Sequence, residues 1–165
     1  MDRKLARTEL IDRLLTELNS KKDAKVDDTE FFEHFAKVIL KRVDNKYLFK
    51  HRLTTLGAQL ADSAEWVKRN IAPETLKVRA FEPLEAAHGY TLEGQVIETL
   101  MPDQPFVFDT LKLLMQQQGV VVHNSLNVII PATTTDGDEI TIQVKPTSES
   151  SNYSYTRWFV DLPSD

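Results

Sequence analysis

The apolar residues of this chain change their spacing at Pro73, and this change limits the fold more than any other feature. Before it, in runs such as Phe32 to Ile39, apolar residues recur every three or four positions, as on one face of an amphipathic helix. After it, in runs such as Leu76 to Pro83, they alternate with polar residues, which is typical of strands. We therefore predict an α+β protein, with a helical segment over residues 1–73 and an α+β domain over residues 74–165.

One helix is expected within the second part. Pro105 suits the first helical position, because its missing N–H leaves no hydrogen bond unmade there. Gly119 suits the left-handed residue that follows the last turn, so the helix is predicted from Pro105 to Gln118. The apolar face of this helix is predicted to consist of Val107, Leu111, Leu114 and Met115.

The helix is predicted to cover an antiparallel sheet whose strands come from both sides of it in the chain. The strand after it is predicted from Gly119 to Ile130, with Pro131 ending it, and Asp136-Gly137 predicts a hairpin turn into the next strand. In the helical segment, the last helix is predicted from about Phe49 to Asn70.

The bend before the helix is the best candidate for a binding site. It consists of Asp103, Gln104, Pro105 and Phe106, with Asp109 one turn further on. The free N–H groups of a helix start attract anionic groups, so the bend could receive a small ligand. An acid near a helix start also stabilises the helix dipole, so the same residues could form only a helix start and a surface acid. The residues alone leave both readings open.

The sequence lacks the usual motifs of nucleotide-binding, metal-binding and catalytic sites. None of the five glycines stands in a G-x-G pattern, which excludes a dinucleotide-binding fingerprint in this chain. There is no cysteine, and none of the four histidines pairs with another at the spacing of helical metal ligands. We therefore predict no catalytic, cofactor-binding or metal-binding residue here. The absence of cysteine and of a signal peptide predicts a cytoplasmic location.

The charge pattern and the length of the apolar runs each argue against one class of partner. Residues 1–75 hold 15 Lys/Arg and 13 Asp/Glu, whereas residues 76–165 hold 5 Lys/Arg and 12 Asp/Glu. Phosphate backbones need clustered cations, so no nucleic-acid partner is predicted. No apolar run approaches the roughly 20 residues that span a bilayer, so no membrane partner is predicted either.

The order of strand, Asp-x-Pro bend, helix, strand and strand resembles most of a ferredoxin-like pattern. The bend itself resembles that of ACT domains, which are small regulatory modules in amino-acid metabolism. In that family the turn often reads Asp-x-Pro-Gly, and the glycine lets an amino-acid ligand approach the helix start. In this chain Phe106 stands at the position of the glycine.

Residues 74–165 resemble more closely the first ACT-like module of large bacterial NAD-dependent glutamate dehydrogenases. That module typically reads Asp-Asp-Met-Pro-Phe-Leu-Val-Asp-Ser-Val, then a helix, then Gly-Leu-x-Ile-His. This chain reads PDQPFVFDTL from Pro102 to Leu111 and GVVVH from Gly119 to His123. The closing Pro-Ser-Asp looks like a helix cap with no helix behind it, which predicts that the domain continues beyond residue 165.

The resemblance implies a non-catalytic regulatory or assembly domain at the N-terminus of a large glutamate dehydrogenase. The parent enzyme would deaminate L-glutamate oxidatively to 2-oxoglutarate and ammonia, with NAD bound in a distant domain. The implied partners are the rest of the parent chain, further copies in a homo-oligomer and an amino-acid effector. The alternative is a protein–protein interaction module without a small ligand, which Phe106 at the glycine position favours. An independent small enzyme is the third and weakest reading.

Overall fold

The computed structural model describes residues 3–20, 29–74, 76–135 and 140–164, with the side chains of residues 6–17 in the first helix. The described helices are α1 Arg3–Ser20, α2 Thr29–Leu40, α3 Asn45–Lys50, α4 Leu53–Asn70, α5 Glu85–His88 and α6 Val107–Gln117. The described strands are β1 Lys77–Phe81, β2 Gln95–Pro102, β3 Val121–Thr134, β4 Ile140–Ile142 and β5 Ser151–Asp161. The predicted α+β class is confirmed.

The strands form one antiparallel sheet in the order β1-β2-β5-β3-β4. Because β2 and β3 are both antiparallel to β5, which lies between them, they run parallel to each other. The helix α6 connects them, so β2, α6 and β3 form the split crossover unit of ferredoxin-like folds. The position beside β2 is filled by β1, which comes from the N-terminal side of that unit.

One face of the sheet packs against the N-terminal helices. The ring of Phe35 on α2 meets the ring of Tyr155 on β5 edge-on, with centroids 5.8 Å apart. Both side chains are fully buried, as is Leu14 of α1. The helical segment and the sheet therefore share one apolar core, whose members include Ile39, Leu60, Val67, Val96, Leu100, Leu126, Val128, Ile130 and Phe159.

The other face of the sheet packs against α6. Phe108 stacks on Trp158 of β5, with ring centroids 4.7 Å apart and 14° between the planes. Met115 completes a small core with Trp158 and Val160, against which Ile97 of β2 also packs. One helix therefore covers strands from both sides of it in the chain, as predicted. Because both faces of β5 are covered, residues 153–160 are buried without interruption.

Several predicted helix features are wrong in detail. The helix expected from Phe49 to Asn70 is two helices, because the backbone is extended at His51 and Arg52 and separates α3 from α4. On α6, Leu114 points outward and is 51% exposed, whereas Phe108 takes part in the buried face. Residues 108, 111 and 115 are spaced i, i+3 and i+7, so they form the stripe that meets the sheet.

Two strand predictions are also corrected. Pro131 does not end β3, which continues to Thr134. Proline lacks only the donor of a strand residue, and the Pro131 carbonyl still accepts a hydrogen bond of 2.7 Å from the Gln143 amide. In β1 the more buried face is not the apolar one expected from the sequence. Arg79 faces the helices and is partly buried, whereas Val78 is 63% exposed. The hairpin predicted at Asp136-Gly137 lies outside the described residues.

The boundary between residues 73 and 74 stays a prediction, although the two parts share a core. None of the described helices combines the length and the apolar character needed to cross a bilayer.

Candidate functional site

The predicted bend lies between the end of β2 at Pro102 and the start of α6 at Val107. The Asp103 amide donates a hydrogen bond of 2.9 Å to the Asn152 carbonyl, which ties the bend to the start of β5. The helix begins two residues later than predicted, so Pro105 belongs to the turn and not to the helix. The reason is the conformation of the residue that follows Pro105.

Phe106 has a left-handed backbone conformation, with φ 66° and ψ 10°, and forms the N-cap of α6. A helix cannot pass through a left-handed residue, so α6 starts directly after it. The side chain of Phe106 is 76% exposed and therefore does not fill the space beside the helix start. The left-handed residue expected at the other end of the helix, Gly119, is present with φ 73°.

No side chain makes a capping hydrogen bond at the start of α6, and Asp103 is no exception. The first hydrogen bond of the helix runs from the Thr110 amide to the Phe106 carbonyl, at 2.9 Å. The amides of residues 107, 108 and 109 precede it and have no partner within the helix, as at any helix N-terminus. They carry the positive end of the helix dipole.

A pocket of about 260 Å³ opens at this helix start, and we refer to it as the effector pocket. Its lining residues are Asp103, Gln104, Phe106, Val107, Phe108, Asp109, Asn127, Ile129 and Ser154. Four of the five predicted site residues are thus brought together, and Pro105 is not part of the lining. Two lining side chains are carboxylates and none is a cation, so the side chains give the pocket a negative lining.

Three lining residues, Asn127, Ile129 and Ser154, come from β3 and β5 and were not predicted. Ser154 is 2% exposed as a residue, and it lines the pocket together with Asp103. Its position beside Asp103 follows from strand register, for which a single sequence offers no signal.

A second group of polar residues is buried on the opposite face of the sheet, between α4 and the strands. Glu98 of β2 is fully buried and accepts hydrogen bonds from the Ser63 hydroxyl at 2.6 Å, from the Tyr155 hydroxyl and from Arg79 Nε. Arg79 also donates to Asp62 at 2.7 Å. Burial raises the pKa of Asp62, and the Arg79 guanidinium opposes this. A glutamate within the apolar run of β2 was the signal that sequence reasoning overlooked.

Tyr155 and Tyr90 lie close to this buried group. Burial raises the pKa of all four tyrosine hydroxyls of the chain, Tyr47, Tyr90, Tyr153 and Tyr155. For Tyr47 the pKa rises to about 12, although the nearby Arg157 charge partly opposes the effect of burial. The phenolate form is disfavoured because it would be a charge in an apolar surrounding.

The raised tyrosine pKa values predict a loss of stability in alkali. An unfolded tyrosine loses its proton near pH 10, whereas folded Tyr47 keeps it until about pH 12. The contribution of Tyr47 is therefore complete below pH 10 and is lost as the pH rises from 10 to 12, by about 3 kcal/mol. Urea unfolding across this range measures it, with Tyr47→Phe as the control that removes this share. Half-ionised phenolate absorbance of the folded chain at pH 10 would contradict the prediction.

The histidines show no metal site within the described residues, where no cluster of His, Asp and Glu is suited to a metal ion. The Nδ1 atom of His34 on α2 lies 2.8 Å from the Ile142 carbonyl, which links α2 to β4. His123 lies at an irregularity of β3, and its Nε2 is 2.6 Å from Asp161 Oδ2.

Comparison with known proteins gives a family. Residues 35–161 match the model of the glutamate dehydrogenase ACT1 domain. The chain belongs to this ACT1 domain family. It is also 30% identical over 123 residues to the NAD-specific glutamate dehydrogenase of Halomonas elongata, which covers 74% of this chain and 7% of that protein. No solved structure matches the chain. The resemblance read from the sequence is thus confirmed.

The bend of this chain has a left-handed residue at Phe106, the position that aligns with the glycine of the ACT bend it resembles. Phe106 stands where ACT domains have glycine, and its φ of 66° lies in the region that glycine adopts most readily. The left-handed residue starts the helix directly beside the pocket, so phenylalanine here adopts the backbone conformation that glycine would.

The positive φ predicts that Phe106→Gly stabilises the ACT1 domain. A left-handed backbone costs a side-chain-bearing residue about 1 kcal/mol, and the exposed ring makes little compensating contact. Phe106→Gly should raise the free energy of unfolding by about 1 kcal/mol, as measured by urea denaturation. Phe106→Ala is the matched control and should bring no comparable gain, since it keeps the Cβ atom. Equal stability of the two variants would mean that the backbone there is not strained.

Proposed function

We propose that this ACT1 domain is a non-catalytic regulatory domain near the N-terminus of a large NAD-dependent glutamate dehydrogenase, and that it senses an amino acid in the effector pocket. The parent enzyme would use NAD to deaminate L-glutamate to 2-oxoglutarate and ammonia in another domain. The chain matches the relative over 7% of the relative's length. The observation that carries the proposal is the pocket at the uncapped start of α6.

The pocket offers opposite charges to the two ends of an amino acid. The amides of residues 107–109, at the positive end of the α6 dipole, suit a carboxylate. The carboxylates of Asp103 and Asp109 suit an ammonium group, and the Ser154 hydroxyl and Asn127 amide add neutral hydrogen-bonding groups. A volume of about 260 Å³ is near the lower end for small-molecule pockets, so it suits a single amino acid.

Calorimetric titration tests the sensing role, with L-glutamate, L-aspartate and L-arginine as ligands. At least one should release heat and raise the melting temperature of the chain. An N-acetylated form of that amino acid should not bind, because it lacks the ammonium charge, and its carboxamide form should bind more weakly. No heat and no change in melting temperature with any of the three would remove the sensing role.

Isosteric variants test the assigned contacts. Asp103→Asn or Asp109→Asn should weaken binding about tenfold, because each removes one charge-assisted contact to the ammonium group. Glu82→Gln is the matched control, since Glu82 is an exposed acid outside the pocket, and it should leave affinity unchanged. An equal loss in all three variants would indicate a general charge effect and not the assigned contacts.

A second proposed role is assembly, in which the partners are further copies of the domain and the rest of the longer chain. The supporting observation is β1, which lies at the edge of the described sheet and has no strand on its outer side there. Two exposed apolar residues, Leu76 and Val78, accompany this edge. Exposed strand edges favour pairing with another chain.

The assembly role is tested by sedimentation equilibrium of the chain. Val78→Lys should weaken self-association at least tenfold, because a charge at the edge opposes pairing. Leu113→Lys is the control, since Leu113 is 55% exposed on α6, away from that edge. A chain that is monomeric at all concentrations would leave only the interaction with other partners. We keep the cytoplasmic location and the absence of nucleic-acid and membrane partners as predictions.

A further inference from the structure

The guanidinium of Arg157 is buried without a direct ion pair in the described part of the chain. Arg157 is 4% exposed, and its Nε is a buried donor without a hydrogen-bond partner. The acid that lies opposite it in the sheet register is Glu98, whose oxygens accept from Ser63, Tyr155 and Arg79 instead. Burial lowers the pKa of Arg157, but the nearby Tyr155, Tyr47 and Glu98 raise it by more. The Nε atom still remains a buried donor without a hydrogen bond, which is uncommon in folded proteins.

A second unpaired donor lies in the same region. Gln59 of α4 is 1% exposed, and its Nε2 has no hydrogen-bond partner among the described residues. Its Oε1 accepts a hydrogen bond of 2.6 Å from the Tyr47 hydroxyl, which fixes the direction of the amide. The Tyr47 ring stacks on Phe159 at 5.4 Å, and the Arg157 guanidinium lies 5.4 Å from the same Phe159 ring. Both donors therefore adjoin one pair of aromatic rings.

We propose that Arg157 and Gln59 form a second binding site, between α4 and β5, for the carboxylate group of a small anion. A carboxylate accepts several hydrogen bonds at once, so one such group can take a bond from each donor. A water molecule could also accept both bonds, but it would leave the guanidinium without a direct counter-charge. Because both donor atoms are excluded from solvent, the site takes a ligand of few atoms.

Arg157 makes the surroundings of the site positive, and the buried Glu98 opposite it in the sheet offsets part of this charge. The Arg157 charge opposes the rise in the pKa of Tyr47, and it adds to burial and to the Lys50 charge in lowering the pKa of His51. The His51 ring lies 4.4 Å from the Tyr47 ring, so both groups feel the same positive field. Arg157 and Ser154 point to opposite faces of β5, because they are three residues apart on a strand. The second site is therefore separate from the effector pocket and does not depend on the function proposed for it.

Nuclear magnetic resonance of the ¹⁵N-labelled chain tests the proposal, with sodium acetate as the probe and sodium chloride at equal ionic strength as the reference. The Arg157 Nε–H and Gln59 side-chain amide signals should move together and saturate with one dissociation constant in the millimolar range. Signals that move linearly without saturation, or equally with chloride, would overturn the proposal. So would a bound water detected at both donors that acetate fails to displace.

Variants separate the site from general charge effects. Gln59→Met should weaken acetate binding about tenfold, because it removes one donor and keeps an unbranched side chain. Arg157→Met should abolish saturation. Arg69→Met is the matched control, because Arg69 is a 74% exposed arginine at the end of α4, and affinity should be unchanged. If Arg157→Met fails to fold, the wild-type titration and Gln59→Met still decide, and unaltered affinity in Gln59→Met would reject the assigned site.

Discussion

Replacing Trp158 with alanine is expected to lower the free energy of unfolding by about 3–5 kcal/mol, a large share of the stability of a domain this size. Trp158 is fully buried and stacks on Phe108, which is the main ring contact between β5 and α6. Its indole N–H also donates to the Thr156 hydroxyl at 2.8 Å. The alanine variant would lose the stacked ring and leave a cavity under the helix.

Urea denaturation measures this loss, and Trp158→Phe is the matched control. Phenylalanine keeps a ring against Phe108 and gives up the bond to Thr156, so its cost should be clearly smaller. Because α6 forms part of the effector pocket, the alanine variant should also bind an effector more weakly than the phenylalanine variant does. A cost below about 1 kcal/mol for alanine would show that α6 does not depend on this contact.

Replacing Glu98 with alanine is expected to cost a similar 3–5 kcal/mol, for an electrostatic reason. The fully buried carboxylate is the common acceptor for Ser63, Tyr155 and Arg79, which belong to α4, β5 and β1. Its removal leaves two buried hydroxyls and part of a guanidinium without their acceptor, and unpaired buried donors are costly. The helical segment and the sheet should therefore lose stability together, in one unfolding transition.

Two comparisons test this account of Glu98. Glu65→Ala removes a surface carboxylate whose partner Arg69 is 74% exposed, and it should cost about 0.5 kcal/mol or less because water screens such pairs. The double variant Glu98→Met with Arg79→Met should recover part of the loss, because it removes both buried charges together. If the double variant is as unstable as the sum of the single variants, Glu98 and Arg79 are not coupled.

Local sequence predicted some residues of the effector pocket and missed others. The Asp-x-Pro bend, Phe106 and Asp109 were visible because they are neighbours in the chain. Ser154 and Asn127 were not, because they reach the pocket through the pairing of β3 with β5. The sequence also did not predict the left-handed backbone of Phe106, since phenylalanine gives no local signal for a positive φ.

By itself, the sequence determined the order of elements in this ACT1 domain, the helix that covers the sheet and the family. Those features depend on periodicity and on turn residues, which act over a few neighbouring positions. Only the tertiary structure decided that the N-terminal helices cover the second face of the sheet. It also decided that Arg79 and Glu98 meet, and that Arg157 is buried with no direct ion pair among the described residues. Such contacts join residues far apart in the chain, so strand register and layer packing fix them and local pattern cannot.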